Sequence, residues 1–216
     1  NVIQSVLETA KGGAFTDKLL RLQSVLHKQT DQLAAAVDTL REYIPLKPDD
    51  APARMDLIKL LFRLKSYEEV IAEVEALADS APFNEPQSAF FLLSRYMYGL
   101  SLIANQDYVG AAEALETITS DAVEQAGLSI IYPYTLFYRG WSYYREAGYQ
   151  QAEENFAQLL ATAEGHELYA RAAYLAGWCA FVVEAYGRAE EYLSVASQHG
   201  DPGLTVKASF MRAKSL

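Results

Sequence analysis

The chain has 216 residues, 51% of them hydrophobic, which is ample material for a core, in one elongated domain or two compact ones. It carries 28 acidic against 18 basic side chains, a formal net charge of -10, and this balance excludes nucleic acid, which demands a basic footprint. A single cysteine, Cys179, rules out an intrachain disulfide without deciding the compartment, and the longest uncharged apolar stretch, Gln125 to Tyr138, is too short to span a bilayer and contains Pro133. Direct membrane insertion is therefore not expected. The chain begins at Asn1 rather than Met, which reads as a processed or excised piece.

Taken in order, residues 1–16 read as an N-terminal helix and linker. Paired helices follow. The spacing predicts a first pair over 17–50, marked by Ser24, Leu33, Ala36, Leu40, Tyr43 and Pro48. A second, over 51–84, is marked by Leu57, Ile58, Leu61, Tyr67, Val70, Val74, Leu77 and Pro82. The third, over 92–125, carries Tyr98-Gly99, Leu102, Tyr108, Ala111, Leu115 and Ile118. The fourth, over 133–166, contains Gly140-Trp141-Ser142-Tyr143-Tyr144, then Tyr149, Ala152 and Phe156. The fifth, over 170–203, repeats that block 37 positions later as Gly177-Trp178-Cys179-Ala180-Phe181, then Tyr186, Ala189 and Leu193. Residues 204–216 read as the first helix of an unfinished pair. A fixed displacement of this size marks a repeated supersecondary unit. Apolar residues recur at three and four, the breaks carry turn residues, and strand alternation is missing, so the class is all-α. Extra residues beyond the shortest repeat are placed in loops, at Asn84-Glu85-Pro86, around Ala126-Gly127, and at Gly165-His166. Gly99, Gly140 and Gly177 on the first helices, with Ala36, Ala111, Ala152 and Ala189 on the second, are expected to mark close crossings where neither helix has bulk.

The combined pattern resembles the tetratricopeptide repeat: a large apolar residue, a glycine and an aromatic on helix A, then Tyr, Ala, Phe and Ala on helix B, with a closing Pro. The resemblance covers roughly residues 17–203. It departs where Glu164 replaces the closing Pro of the fourth unit, and where the spacing stretches to 37 or 41 residues. The resemblance implies a right-handed α-α superhelix of about five helix-turn-helix repeats, a solenoid whose A helices line a concave face. It also implies a non-catalytic scaffold that binds a peptide or helix of another protein. Longer, Tyr-rich repeats of this style are similar to those of bacterial envelope proteins such as periplasmic Tol-Pal-associated factors and outer-membrane assembly lipoproteins, which favours a periplasmic or envelope location. The Lys and Asn with which one chaperone-binding subclass grips a terminal carboxylate are not reproduced at Arg21, Val25, Met55 and Lys59.

Helical spacing places Tyr134, Phe137, Trp141, Tyr144 and Arg145 on one face, followed one unit later by Arg171, Tyr174, Trp178, Phe181 and Val182, and preceded by Leu93, Tyr96, Leu100 and Ile103. Two accounts fit these aromatics: a groove for a partner, with Arg145 and Arg171 pairing a carboxylate or lying on a ring, or filler between long helices. The partner-binding set is Tyr96, Tyr134, Phe137, Trp141, Tyr144, Arg145, Arg171, Tyr174, Trp178 and Phe181. The alternative role is self-assembly through the C-terminal end, Leu204 to Leu216. His27, His166 and His199 lie in different units, and His166 and His199 read as helix-end residues stabilising terminal carbonyls. Glu153-Glu154 and Glu190-Glu191 read as the solvated face of helix B, and Cys179 as a buried small hydrophobe. No cofactor, metal site or catalytic constellation is expected.

Overall fold

In the computed structural model, residues 15–215 are described. The expected N-terminal helix lies almost wholly outside the described residues. Among the described residues there are twelve α-helices, two short 3₁₀ turns and no strand. The chain divides into two units, Asn1–Glu85 and Pro86–Leu216, each with its own packing.

The first unit holds α1 (Thr16–Gln29), α2 (Leu33–Tyr43), a 3₁₀ turn (Ile44–Leu46), α3 (Ala51–Arg63) and α4 (Tyr67–Ala76). Helix α3 starts where the Asp50 side chain accepts the Ala53 N–H at 3.0 Å and proline occupies the first turn. Its apolar stripe, Leu57, Ile58, Leu60 and Leu61, is buried along with Leu40 of α2 and Val70 of α4. Arg21 and Lys28 of α1 both donate to Asp56 Oδ2 of α3, at 2.9 and 2.6 Å, pinning α1 to α3.

The second unit holds α5 (Ala89–Ala104), α6 (Tyr108–Glu116), α7 (Ser120–Gln125), a 3₁₀ turn (Ser129–Ile131), α8 (Tyr132–Arg145), α9 (Tyr149–Thr162), α10 (Tyr169–Val182), α11 (Tyr186–His199) and α12 (Pro202–Ser215). From α8 to α12, each helix packs on the next. Just before the connection expected at Ala126-Gly127, which is a turn, the third pair holds an additional short helix, α7, capped by Thr119. Its Ala122 and Val123 close a local core with Phe91, Leu92, Leu115 and Ile118. The apolar pair was too short to show a helical period, so burial decides the conformation here.

The turn inside each helix pair is built alike. Asp31, Lys65, Gln106, Ala147 and Glu184 all have positive φ, between 57° and 65°. In each case the next residue's N–H reaches back five residues to a carbonyl, at 2.8 to 3.0 Å: Gln32 to His27, Ser66 to Leu61, Asp107 to Leu102, Gly148 to Tyr143 and Ala185 to Ala180. This is the left-handed C-terminal cap, which satisfies carbonyls that a helix end leaves without partners.

The recurrence of glycine at matching places in three repeats has a different cause from the one expected. Ala36, Ala111, Ala152 and Ala189 are fully buried. The glycines, however, face a large side chain: a Cβ on Gly99 would lie 2.7 Å from Leu115 Cγ, on Gly140 2.9 Å from Phe156 Cε1, and on Gly177 2.6 Å from Leu193 Cγ. The missing side chain on helix A is the socket for a bulky one on helix B, so the contact is small against large.

Candidate functional site

Helix α10 buries its small residues and shows its large ones. Ala172, Ala173, Ala176, Gly177, Cys179 and Ala180 are buried, whereas Tyr174, Trp178 and Phe181 are only half-buried and Arg171 is exposed. An interior of alanine and glycine lets neighbouring helices approach closely, and no space is left for rings beneath. Burial also pushes the Cys179 thiol up to about 12, as expected of an inert interior cysteine.

Helix α8 divides its aromatics. Phe137 is 4% exposed and packs with its ring centroid 5.7 Å from that of Phe156, so this residue, expected in the groove, belongs to the interior. Trp141 and Tyr144 are half-buried and stacked, with centroids 5.5 Å apart and planes at 27°. The exposed guanidinium of Arg145 lies 4.3 Å from the Tyr108 centroid and 5.7 Å from that of Trp141. The Arg171 guanidinium lies 5.6 Å from the Phe137 centroid, so α10 reaches across to α8.

The phenols carry the band from helix to helix. Burial raises the Tyr96 pKa well above the ordinary range, with Tyr138 and Tyr134 of α8 near enough to add to the effect. Tyr134 donates to Glu167 Oε1 at 2.9 Å, which raises its own pKa, and its ring meets His166 edge-on at 4.8 Å. Tyr144 is raised by burial and lies within electrostatic reach of Cys179 and Tyr174 on α10. Trp178 and Phe181 sit farther along, packed with Tyr174 against the core shared by α10, α11 and α12. Among the described residues, no ring contact joins Trp141 to Trp178. The predicted set thus forms two patches on adjoining helices, one around Trp141 and one around Trp178.

Three features escaped the sequence reading. Tyr108, taken only as a helix B marker, is the ring beneath Arg145. Glu153, read as solvated, has a side chain 8% exposed, and Arg188 of α11 donates to its two oxygens at 2.7 and 3.3 Å. Glu190 is likewise held by Arg212 of α12, at 2.7 Å. A carboxylate one position after Ala152 and after Ala189, with an arginine on the next B helix or α12, is a signal that could have been found. His166 also differs from expectation: its Nδ1 accepts the Leu168 N–H at 3.2 Å and so serves a helix start, not a helix end. Away from the aromatic band, a polar cleft of about 200 Å³ is lined by Glu116, Arg139, Tyr143, Gln151, Glu154, Asn155 and Gln158. Arg139 donates to Asn155 there. Among the described residues no helix is long and apolar enough to cross a membrane.

No protein-family model and no curated protein sequence matches the chain. Solved structures do. The chain is similar to YrrB, described as a TPR protein with an unusual peptide-binding site, at 21% identity and a TM-score of 0.69, over 97% of this chain and 98% of that one. It is similar to MamA from Desulfovibrio magneticus RS-1 at 15% identity and a TM-score of 0.65, covering 84% and 93%. It also matches the apo form of RapI at 13% identity and a TM-score of 0.70, over 98% of this chain and 63% of RapI. At these identities the shared property is the fold, the helical repeat architecture of tetratricopeptide-repeat proteins.

Proposed function

We propose that this tetratricopeptide-repeat fold serves as a non-catalytic scaffold, with the half-buried aromatics of α8 and α10 as the docking face for a peptide or helix of another protein. The observation that carries the reading is the inverted packing of α10: alanine and glycine inside, tyrosine, tryptophan and phenylalanine outside. Rings used as filler would be buried as Phe137 and Phe156 are. Rings left partly exposed keep contact area for a partner, and tryptophan and tyrosine dominate binding energy at protein interfaces. The peptide-binding description of YrrB supports the same class of role. We propose with it a division into five repeats, over about 17–50, 51–84, 92–125, 133–166 and 170–203, with 204–216 as part of a sixth.

The test is to pan a random peptide display library on the wild-type protein and on Trp141→Ala/Trp178→Ala, after circular dichroism has confirmed that both are folded. Selected peptides should bind the wild type and lose the double variant. Peptides that bind both equally would place the binding elsewhere. One observation favours a second reading, self-assembly through α12: Val206 and Phe210, one turn apart, are 70% and 61% exposed. Val206→Lys/Phe210→Lys would then convert an oligomer to a monomer in sedimentation, and a wild type that is already monomeric would remove that reading.

A further inference from the structure

We propose that the occupant of this face is an acidic peptide segment, whose carboxylates are read by Arg145 and Arg171. This deepens the docking reading and rests on it. The six arginines of residues 86–216 differ in what holds them. Arg95 lies over Phe91 and Tyr98, rings of its own helix, at 5.4 and 5.8 Å. Arg139, Arg188 and Arg212 donate to side chains of the chain itself, Asn155, Glu153 and Glu190. Arg145 and Arg171 instead rest on aromatic rings, and among the described residues neither has a carboxylate partner.

Shortage of acid does not explain this, since the chain holds 28 acidic residues against 18 basic ones. Glu146 is next to Arg145 in sequence, and Glu167 is one turn before Arg171. Glu167 is engaged by the Tyr134 hydroxyl. Arg145 in the last turn of α8 gains from the helix dipole. Arg171, however, lies in the first turn of α10, where the dipole disfavours a cation. An exposed cation at the disfavoured end of a helix, resting on a ring and without a carboxylate partner among the described residues, is suited to an external anion.

A guanidinium laid on a ring spends its flat face on the π-system and keeps its edge N–H groups for an acceptor. That edge matches the two oxygens of a carboxylate. Arg145 rests on Tyr108 of α6 and, less closely, on Trp141 of α8, and Arg171 rests on Phe137 of α8. The matching segment therefore carries acidic side chains for the two arginines and an apolar residue for the Trp141–Tyr144 stack. A polyanion such as nucleic acid is opposed by the net charge of -10, whereas one or two carboxylates placed on the arginines are not.

The experiment pans a random dodecapeptide library on the wild type and on Arg145→Gln/Arg171→Gln, both exposed positions whose change leaves the core intact. Wild-type winners should be enriched in Asp and Glu, and winners from the double variant should not. The best peptide, remade with Asn and Gln for Asp and Glu, should bind the wild type about tenfold more weakly or worse, and its acidic form should weaken as salt rises. Winners without acidic enrichment, an acid-to-amide change without effect, or tighter binding of a labelled single-stranded oligonucleotide than of the peptide would each overturn the proposal. Failure of the underlying reading looks different: acidic winners would then bind Trp141→Ala/Trp178→Ala as well as they bind the wild type. A library that yields no binder would overturn both.

Discussion

Gly140 of α8 lies beneath the ring of Phe156 of α9, so close that a Cβ on the glycine would stand 2.9 Å from Cε1 and 3.1 Å from Cδ1 and Cζ. Gly177 stands in the same relation to Leu193, with the backbone carbonyl of Ala189 at 3.3 Å as a second obstacle. Alanine would gain up to about 1 kcal/mol of helix propensity at either site. Overpacking opposes that gain by roughly 1–3 kcal/mol. Gly140→Ala and Gly177→Ala should therefore lower the urea midpoint. Gly177→Ala should cost more, because Leu193 Cγ is the branch point of its side chain rather than a movable tip. Phe156→Leu combined with Gly140→Ala should be less destabilising than the two effects added, as expected for neighbours sharing one space. Strict additivity in the double-mutant cycle would show that the contact is not what holds glycine there.

The five left-handed caps make a second expectation. Ala147 has φ of 58° and is exposed, a conformation that costs an L-residue roughly 1–2 kcal/mol and glycine nothing. Glycine loses about 0.5–1 kcal/mol of that advantage to chain entropy. Ala147→Gly should accordingly leave the melting temperature unchanged or raise it, and Ala147→Val should lower it. Thermal denaturation of the two variants decides the matter, and a drop for the glycine variant would count against the cap.

The Glu153–Arg188 pair links α9 to α11. Arg188→Ala strands a carboxylate whose side chain is only 8% exposed, at a cost of roughly 1–3 kcal/mol. Glu153→Gln keeps a hydrogen-bonding group of the same shape and should cost less. Equal losses for the two substitutions in urea titration would mean that the charge, rather than the unsatisfied acceptor, sets the energy.

Stability should also fall in alkali through Tyr43. Its phenol donates to Asp50 Oδ2 at 2.6 Å, and burial together with that bond raises its pKa from 10.0 to about 12. The fold holds the proton more tightly than the unfolded chain does. The associated stability is therefore complete below pH 10 and is lost as pH rises through about 12. Tyr43→Phe should be less stable at neutral pH, by about 1 kcal/mol for the lost hydrogen bond, and should lose less between pH 10 and 12 than the wild type. Parallel curves for the two proteins would remove Tyr43 from the account.

The helix pairs could be read from the chain because their markers are local: a glycine and an aromatic on one helix, and an alanine followed by a bulky residue on the next. Helical period also placed Phe137 and Trp141 on one side of α8. It could not say which of them faces inward, because that is decided by where α9 delivers Phe156. The same limit hid Glu153, whose partner is 35 residues away, and Tyr108, which meets Arg145 from another helix pair. Residues 120–125 fell within the third pair, but six residues show no period of their own, so a separate helix whose Ala122 and Val123 seal a core was not legible. Position along a helix was legible, and the identity of what packs on it was not.

The arrangement of α10 separates two kinds of evolutionary freedom. Its inner row admits almost no change, since even one methyl group on Gly177 meets Leu193, while its outer rings pack against the core yet stay partly exposed, and Arg171 is exposed. Substitutions on the outer row that keep the apolar contact can accumulate with smaller effect on whether the chain folds. Lineages can therefore retarget this surface while keeping the same skeleton, and sequences related to this one should diverge fastest where the rings are and slowest where the alanines are.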